Sequence, residues 1–149
     1  MRVVVQRVKR ASCTIDGEVY SKIDTGYLLL VGFTHNDSVK EVKYLAKKIA
    51  GLRVFEDENG KMNLSLKAVG GKILSISQFT LYADTKDGNR PAFINAMKPD
   101  MALELYDLFN EELRSYDIEV YTGIFGSDMK IDLLNDGPVT ILMDSKNRE

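Results

Sequence analysis

The chain has 149 residues, of which 44% are hydrophobic and 28% charged. That is enough apolar mass for one self-supporting core, and it excludes a disordered or disulfide-stapled class. A single cysteine, Cys13, excludes an intrachain disulfide and fits a reducing compartment. No apolar run reaches the length of a membrane span or a signal-peptide core, so a cytoplasmic protein with no membrane partner is expected. The net charge of −2 excludes a globally basic nucleic-acid binder, and any RNA contact must come from a local patch.

No repeat or linker interrupts the chain, which reads as one domain over 1–149. Val3 to Val8 is short and β-branched, as a strand should be. Ser12–Ile15 and Glu18–Ser21 flank Asp16-Gly17, a two-residue type I′ hairpin signal. Tyr27 to Phe33 is a continuous apolar run of strand length, which predicts burial on both faces. Ser38 followed by Glu41 is a capping box. Val39, Val42, Leu45, Ala46 and Ile49 then recur at helical spacing, and Gly51 falls where a glycine just past the helix belongs. Leu52 to Phe55 returns to strand character, and Glu58-Asn59-Gly60 is a turn.

Lys72 to Leu81 reads as a strand with Ile73, Ser75, Ser77 and Phe79 on one face. Tyr82 to Lys98 is a long polar segment, and loops of that length in a compact domain are uncommon and often functional. Pro99 opens a second helix, where its missing N–H costs nothing, with Met101, Leu105, Leu108, Phe109 and Leu113 inward. Ile118–Tyr121, Met129–Leu133 and Val139–Met143 complete the strands. Strands without regularly alternating helices predict an α+β fold: a mainly antiparallel, barrel-like sheet with two covering helices.

The inventory of reactive groups excludes more chemistry than it supports. One histidine and one cysteine do not make a metal site, and no metal or cofactor is expected. His35 precedes a helix cap and reads as an exposed loop residue, while Cys13 reads as a small packing hydrophobe. There is no G-x-S-x-G elbow and no phosphate-binding loop. Taken singly, Ser77-Gln78-Phe79-Thr80-Leu81 is a strand end, and Asn135-Asp136-Gly137-Pro138-Val139-Thr140 is a turn entering the last strand.

Together these segments carry a resemblance. SQFTL at 77–81, then Gly88-Asn89-Arg90-Pro91, Thr122-Gly123 with Phe125-Gly126, and NDGPVT at 135–140 resemble the D-aminoacyl-tRNA deacylases. Arg7-Val8, Ala11, Asp16-Gly17-Glu18, Leu52–Phe55 and Gly60–Asn63 fit the same pattern, so it covers Met1 to about Asp144. Cys13 stands where valine is expected, and Ala92 where a serine is expected after Pro91.

The resemblance implies a homodimer with its active site at the subunit interface and hydrolysis of D-aminoacyl-tRNA, with glycyl-tRNA as a secondary substrate and L-esters rejected. It implies that the Gly137-Pro138 peptide is cis and reaches into the partner's pocket, where carbonyls grip the substrate ammonium. Backbone N–H groups of Phe79 and Thr80 are the expected oxyanion donors, and Ser77 and Gln78 the expected pocket walls. The Thr80 hydroxyl is a competing nucleophile, although no base for it is evident. Arg7 either holds the Gly-Pro element or is a surface strand arginine. Lys86, Arg90 and Lys98 are candidates for tRNA phosphates. The alternative is a non-catalytic nucleic-acid-binding module in which Gly137-Pro138 is only a turn.

Overall fold

A computed structural model describes residues 1–147. The fold is α+β, a nearly closed, barrel-like sheet with two helices. Two long strands organise it, β1 (Arg2–Ile15) and β8 (Lys130–Asp144), which pair antiparallel along nearly their whole length. On its other edge β1 pairs antiparallel with β2 (Glu18–Ile23) and β3 (Gly26–Gly32). The sheet then continues through parallel pairing of β3 with β6 (Lys72–Ser77) and of β6 with β7 (Val120–Thr122). A bond from the Ser21 hydroxyl to the Thr122 carbonyl, 2.8 Å, draws β2 towards β7 and the barrel towards closure.

The two parallel pairings need crossovers, and the two helices are in those crossovers. α1 (Val39–Gly51) lies between β3 and β6, together with the hairpin β4 (Arg53–Glu56) and β5 (Met62–Ser65). α2 (Pro99–Arg114) lies between β6 and β7. This explains the unbroken apolar run of β3. Tyr27, Leu29 and Val31 pack with the helices, while Leu28 faces a second cluster on the other side of the strand with Val8, Cys13, Leu74 and Ile76. Cys13 is fully buried there, and burial pushes its thiol pKa up. Among the described residues no helix is long and apolar enough to cross a membrane.

Local signals hold at the first turn and the first helix. Asp16 and Gly17 have φ of 52° and 80°, both positive as a type I′ turn requires. In α1, Ser38 Oγ accepts from Lys40 N–H at 3.3 Å, and Glu41 accepts from Ser38 N–H at 2.7 Å. Gly51, however, is the last helical residue and not the one beyond it. The chain leaves through Leu52 in an extended conformation (φ −62°, ψ 134°) and enters β4 directly, so no left-handed residue is required.

Four other expectations are corrected. β1 and β8 are each one strand where two short ones are expected, because mutual pairing carries both across their polar residues as bulges. NDGP is therefore not a turn between strands. β5 lies where the sequence predicts no strand, since only Met62 and Leu64 alternate in it. In α2 the buried stripe is Ala102, Tyr106, Phe109, Asn110 and Leu113. Met101 is 55% exposed, because a helix that buries Phe109 aligns Ala102 beneath it, one position out of phase with Met101.

Candidate active site

The strand expected to reach Leu81 stops at Ser77. Gln78 N–H makes the last bond to β3, 2.7 Å to the Val31 carbonyl, and Phe79–Tyr82 then forms a single 3-10 turn. Gly32 explains the change of direction. A Cβ there would lie 2.8 Å from the Gln78 carbonyl oxygen and 3.1 Å from Leu81 Cβ, so the turn occupies the space a side chain would take. Phe79 and Thr80 are left exposed, and Ser77 and Gln78 half-buried. The first N–H groups of a helical turn have no partner within it, which frees those of Phe79 and Thr80 for other acceptors. The Thr80 hydroxyl accepts from Gln78 Nε2 at 2.5 Å, and among the described residues it has no acid or base as a hydrogen-bond partner.

Ser77, Gln78 and Phe79 form one side of a largely apolar cavity of about 650 Å³. Its lining also includes Phe93 and Met97 from the long segment and Phe125 and Met129 from the connection between β7 and β8. Phe79 and Phe93 meet edge-on at 5.0 Å. The composition of 93–97 and 125–131 shows little of this role, because scattered Phe and Met residues in connecting segments read as ordinary packing.

The long segment is tied down on both sides of its tip. Asp84 and Ala92 exchange backbone bonds of 2.8 and 2.9 Å, so the pairing needs no hydroxyl at position 92. The Thr34 hydroxyl donates to the Asn95 carbonyl at 2.5 Å, and exposed His35 meets the Ile94 carbonyl through Nε2 at 2.6 Å. Lys98 lines the apolar cavity. Lys86 lines a neighbouring polar cavity of about 460 Å³ with Arg2 and Lys146, two cations the sequence did not single out. Arg90 lies at the loop tip and lines neither cavity.

Gly137 and Pro138 are exposed on β8, joined by a cis peptide bond, with Gly137 at φ 140°. Val8 pairs with Asn135 and Gln6 with Thr140, so residues 136–139 bulge out opposite Arg7 alone. Arg7 is not a surface arginine. It is 5% exposed, donating from Nε to the Asp136 carbonyl at 2.9 Å and from Nη1 to the Val54 carbonyl at 2.6 Å.

Within one chain Gly137 and Pro138 do not line the cavity beside Ser77, Gln78 and Phe79. Ser77 is level with Val31, Val3 and Met143, whereas the bulge lies opposite Arg7, four residues along and three strands across. Followed along the curved sheet, at ~3.3 Å per residue and ~4.8 Å per strand, the path between them is roughly 20 Å.

A family model described as D-Tyr-tRNA(Tyr) deacylase matches residues 4–144. The chain belongs to that family. A D-aminoacyl-tRNA deacylase of Fusobacterium nucleatum is 58% identical over 147 residues, covering 99% of this chain and 97% of the relative. One of Exiguobacterium sibiricum is 60% identical over 144 residues, covering 97% and 99%. Among solved structures, the c-Myc DNA Unwinding Element Binding Protein superposes with a TM-score of 0.90 at 42% identity, over 97% of this chain and 98% of that one. A probable eukaryotic D-amino acid tRNA deacylase superposes at 0.83 over 95% and 97%, and its 16% identity speaks for the fold alone. Family membership thus rests on near full-length likeness, beyond the short motifs that carry the resemblance.

Proposed function

We propose that this chain hydrolyses the ester of D-aminoacyl-tRNA as a homodimer, each subunit lending its Gly137-Pro138 bulge to the other's cavity. The supporting observation is that Gly137 and Pro138 are exposed yet line no part of the cavity beside the SQFTL turn, roughly 20 Å away along the sheet, which leaves them free to enter the cavity of a second copy. In this reading the main-chain carbonyls around Gly137 and Pro138 accept from the substrate ammonium and fix the chiral centre. The D-side chain then points outward and an L-side chain meets the wall. Discrimination comes from excluding the wrong hand, so many D-amino acids are accepted, and glycine, including glycyl-tRNA(Ala), passes the same filter.

Chemistry then needs little from side chains. The ester's neighbouring 2′-hydroxyl orients or activates water. The N–H groups of Phe79 and Thr80 stabilise the oxyanion, a role worth on the order of 3–4 kcal/mol per donor. Ser77 and Gln78 hold the turn against β3, and the aromatic wall of Phe79 and Phe93 suits the terminal adenine. Lys86 and Lys146 in the polar cavity and Lys98 in the apolar one offer cations to the acceptor-strand phosphates, while Arg2 is engaged by Asp144 and the Leu81 carbonyl, a small patch in keeping with a net charge of −2.

Incubation with D-tyrosyl-tRNA and L-tyrosyl-tRNA tests the proposal. Prompt loss of the D-ester with the L-ester spared supports it, and equal stability of both esters refutes it. The relative named as a DNA-unwinding-element-binding protein gives weight to a second reading, a binding module without catalysis. A gel shift with neither ester cleaved would favour that reading.

Thr80→Ala separates positioning from covalent catalysis. It removes the hydroxyl and leaves the N–H, so kcat should stay within about tenfold of the parent. A kcat loss of ~10³-fold or more with an unchanged circular dichroism spectrum would restore Thr80 as the nucleophile.

A further inference from the structure

The bulge at 136–139 leaves Val139 in an unusual position. Its place on β1 is taken by Arg7, one residue facing four, so the strand ladder offers Val139 no regular partner. Yet Val139 is 9% exposed, and buried main-chain N–H and C=O groups are costly to leave unpaired. The side chain of Asn135 supplies both partners. Its Oδ1 accepts from Val139 N–H at 2.8 Å, and its Nδ2 donates to the Val139 carbonyl at 3.2 Å. The same Nδ2 reaches Thr140 Oγ1 at 3.0 Å, and Gln6 Nε2 donates to that hydroxyl oxygen at 3.4 Å.

A carboxamide has the donor and acceptor spacing of a peptide group, so Asn135 replaces the strand that the bulge has lost. The complementarity fixes the amide's orientation: turned over, its NH2 would face an N–H and its oxygen a carbonyl. Arg7 holds the entry of the bulge at Asp136, whereas Asn135 closes its exit at Val139 and Thr140.

We infer that Asn135 is a positioning residue for chiral discrimination: its carboxamide closes the neck of the bulge and sets the direction of the carbonyls around Gly137 and Pro138. This rests on the carbonyl-clamp reading above. Such a clamp requires its acceptors within about 0.5 Å of their working positions, a tolerance that an unpinned four-residue bulge on an exposed strand does not meet. Asn135 touches no substrate and acts only through the main chain it holds.

The test uses the full-length protein with Asn135→Ala, Asn135→Asp and Thr140→Val. D- and L-tyrosyl-tRNA are the substrates, and rates are taken per folded enzyme. Asn135→Asp keeps the acceptor for Val139 N–H and loses both donor bonds, and the ratio of D to L cleavage should fall about tenfold. Asn135→Ala loses all three bonds and should lower the ratio further, with a larger effect on kcat than on KM. Thr140→Val removes one hydroxyl from the network and should lower the ratio about threefold; it keeps the test alive if Asn135→Ala does not fold.

Hydrogen exchange at the Val139 amide gives a readout without activity. Protection should survive in Asn135→Asp and vanish in Asn135→Ala. A D:L ratio unchanged in all three variants overturns the inference, as does a protected Val139 amide in Asn135→Ala. If the parent protein itself fails to cleave the D-ester, the deacylase reading falls, and the exchange measurement still decides whether Asn135 holds the bulge.

Discussion

Gly137→Ala should lower kcat/KM for D-tyrosyl-tRNA by about 100-fold and collapse the preference for the D-ester, while the protein stays folded. Two independent features of the residue lead to that expectation. Its φ of 140° lies where side-chain-bearing residues are strained, at a cost of order 1–3 kcal/mol. A Cβ at this position would also lie 2.8 Å from Val139 Cγ2 and 3.1 Å from both Arg7 Nη2 and Val139 N. Neither neighbour can easily give way: Val139 is held by Asn135, and the guanidinium of Arg7 is committed to two carbonyls.

Gly137 and Pro138 are exposed, so they are the part that moves, and a displacement approaching 1 Å at a clamp is enough to cost two orders of magnitude. Val139 belongs to the main apolar cluster, but Gly137 and Pro138 lie outside it, so the melting temperature should fall by roughly 5 °C without loss of the fold. Steady-state kinetics on both esters beside a thermal melt decide the matter. Retained discrimination in a well-folded Gly137→Ala protein would remove the bulge from the chemistry.

The sequence makes the fold legible where periodicity and punctuation are strong. The type I′ turn at Asp16-Gly17, the capping box at Ser38 and Glu41, and the double-sided burial of β3 all follow from local patterns, and all are present. Tertiary pairing decides the rest. Asn135-Asp136-Gly137-Pro138 has the composition of a turn, and only the register against β1 makes it a bulge within one strand. Phe79 and Leu81 continue the alternation of β6, and only the close approach to Gly32 turns them into a 3-10 helix.

The candidate site divides in the same way. Ser77, Gln78, Phe79, Gly137 and Pro138 are visible through their collinear motifs. Phe93, Met97 and Phe125 join the cavity through folding of segments with no motif of their own, and Arg2 and Lys146 meet Lys86 only because the two chain ends pair in β1 and β8. A single sequence cannot show which distant cations will share a cavity.

Arg7→Met tests the other anchor of the bulge, and here stability should move as well as activity. Methionine keeps most of the aliphatic stem's packing, so the change isolates the guanidinium. Two carbonyls, those of Val54 and Asp136, then lose a charged donor, each bond of this type being worth about 1.5–3 kcal/mol. The Val54 bond is buried and β4 is not open to water there, so the cost at that end is the full price of an orphaned acceptor. Asp136 is partly exposed, and water can replace its donor at little cost.

The expected net loss is therefore about 2–3 kcal/mol, or a drop in melting temperature of roughly 5–10 °C for a chain of this size. At 25 °C the folded fraction should still cleave D-tyrosyl-tRNA at least about tenfold more slowly, because the entry of the bulge is no longer fixed. Arg7→Lys should fall between, since an ammonium is a point donor and does not reproduce the fork that serves two acceptors at once. A melting temperature within 2 °C of the parent in Arg7→Met, measured alongside the kinetics, contradicts the assignment of these two bonds as the anchor. If stability falls as expected but the per-molecule rate is unchanged, Arg7 supports the barrel through β4 alone, and the bulge owes its geometry to Asn135.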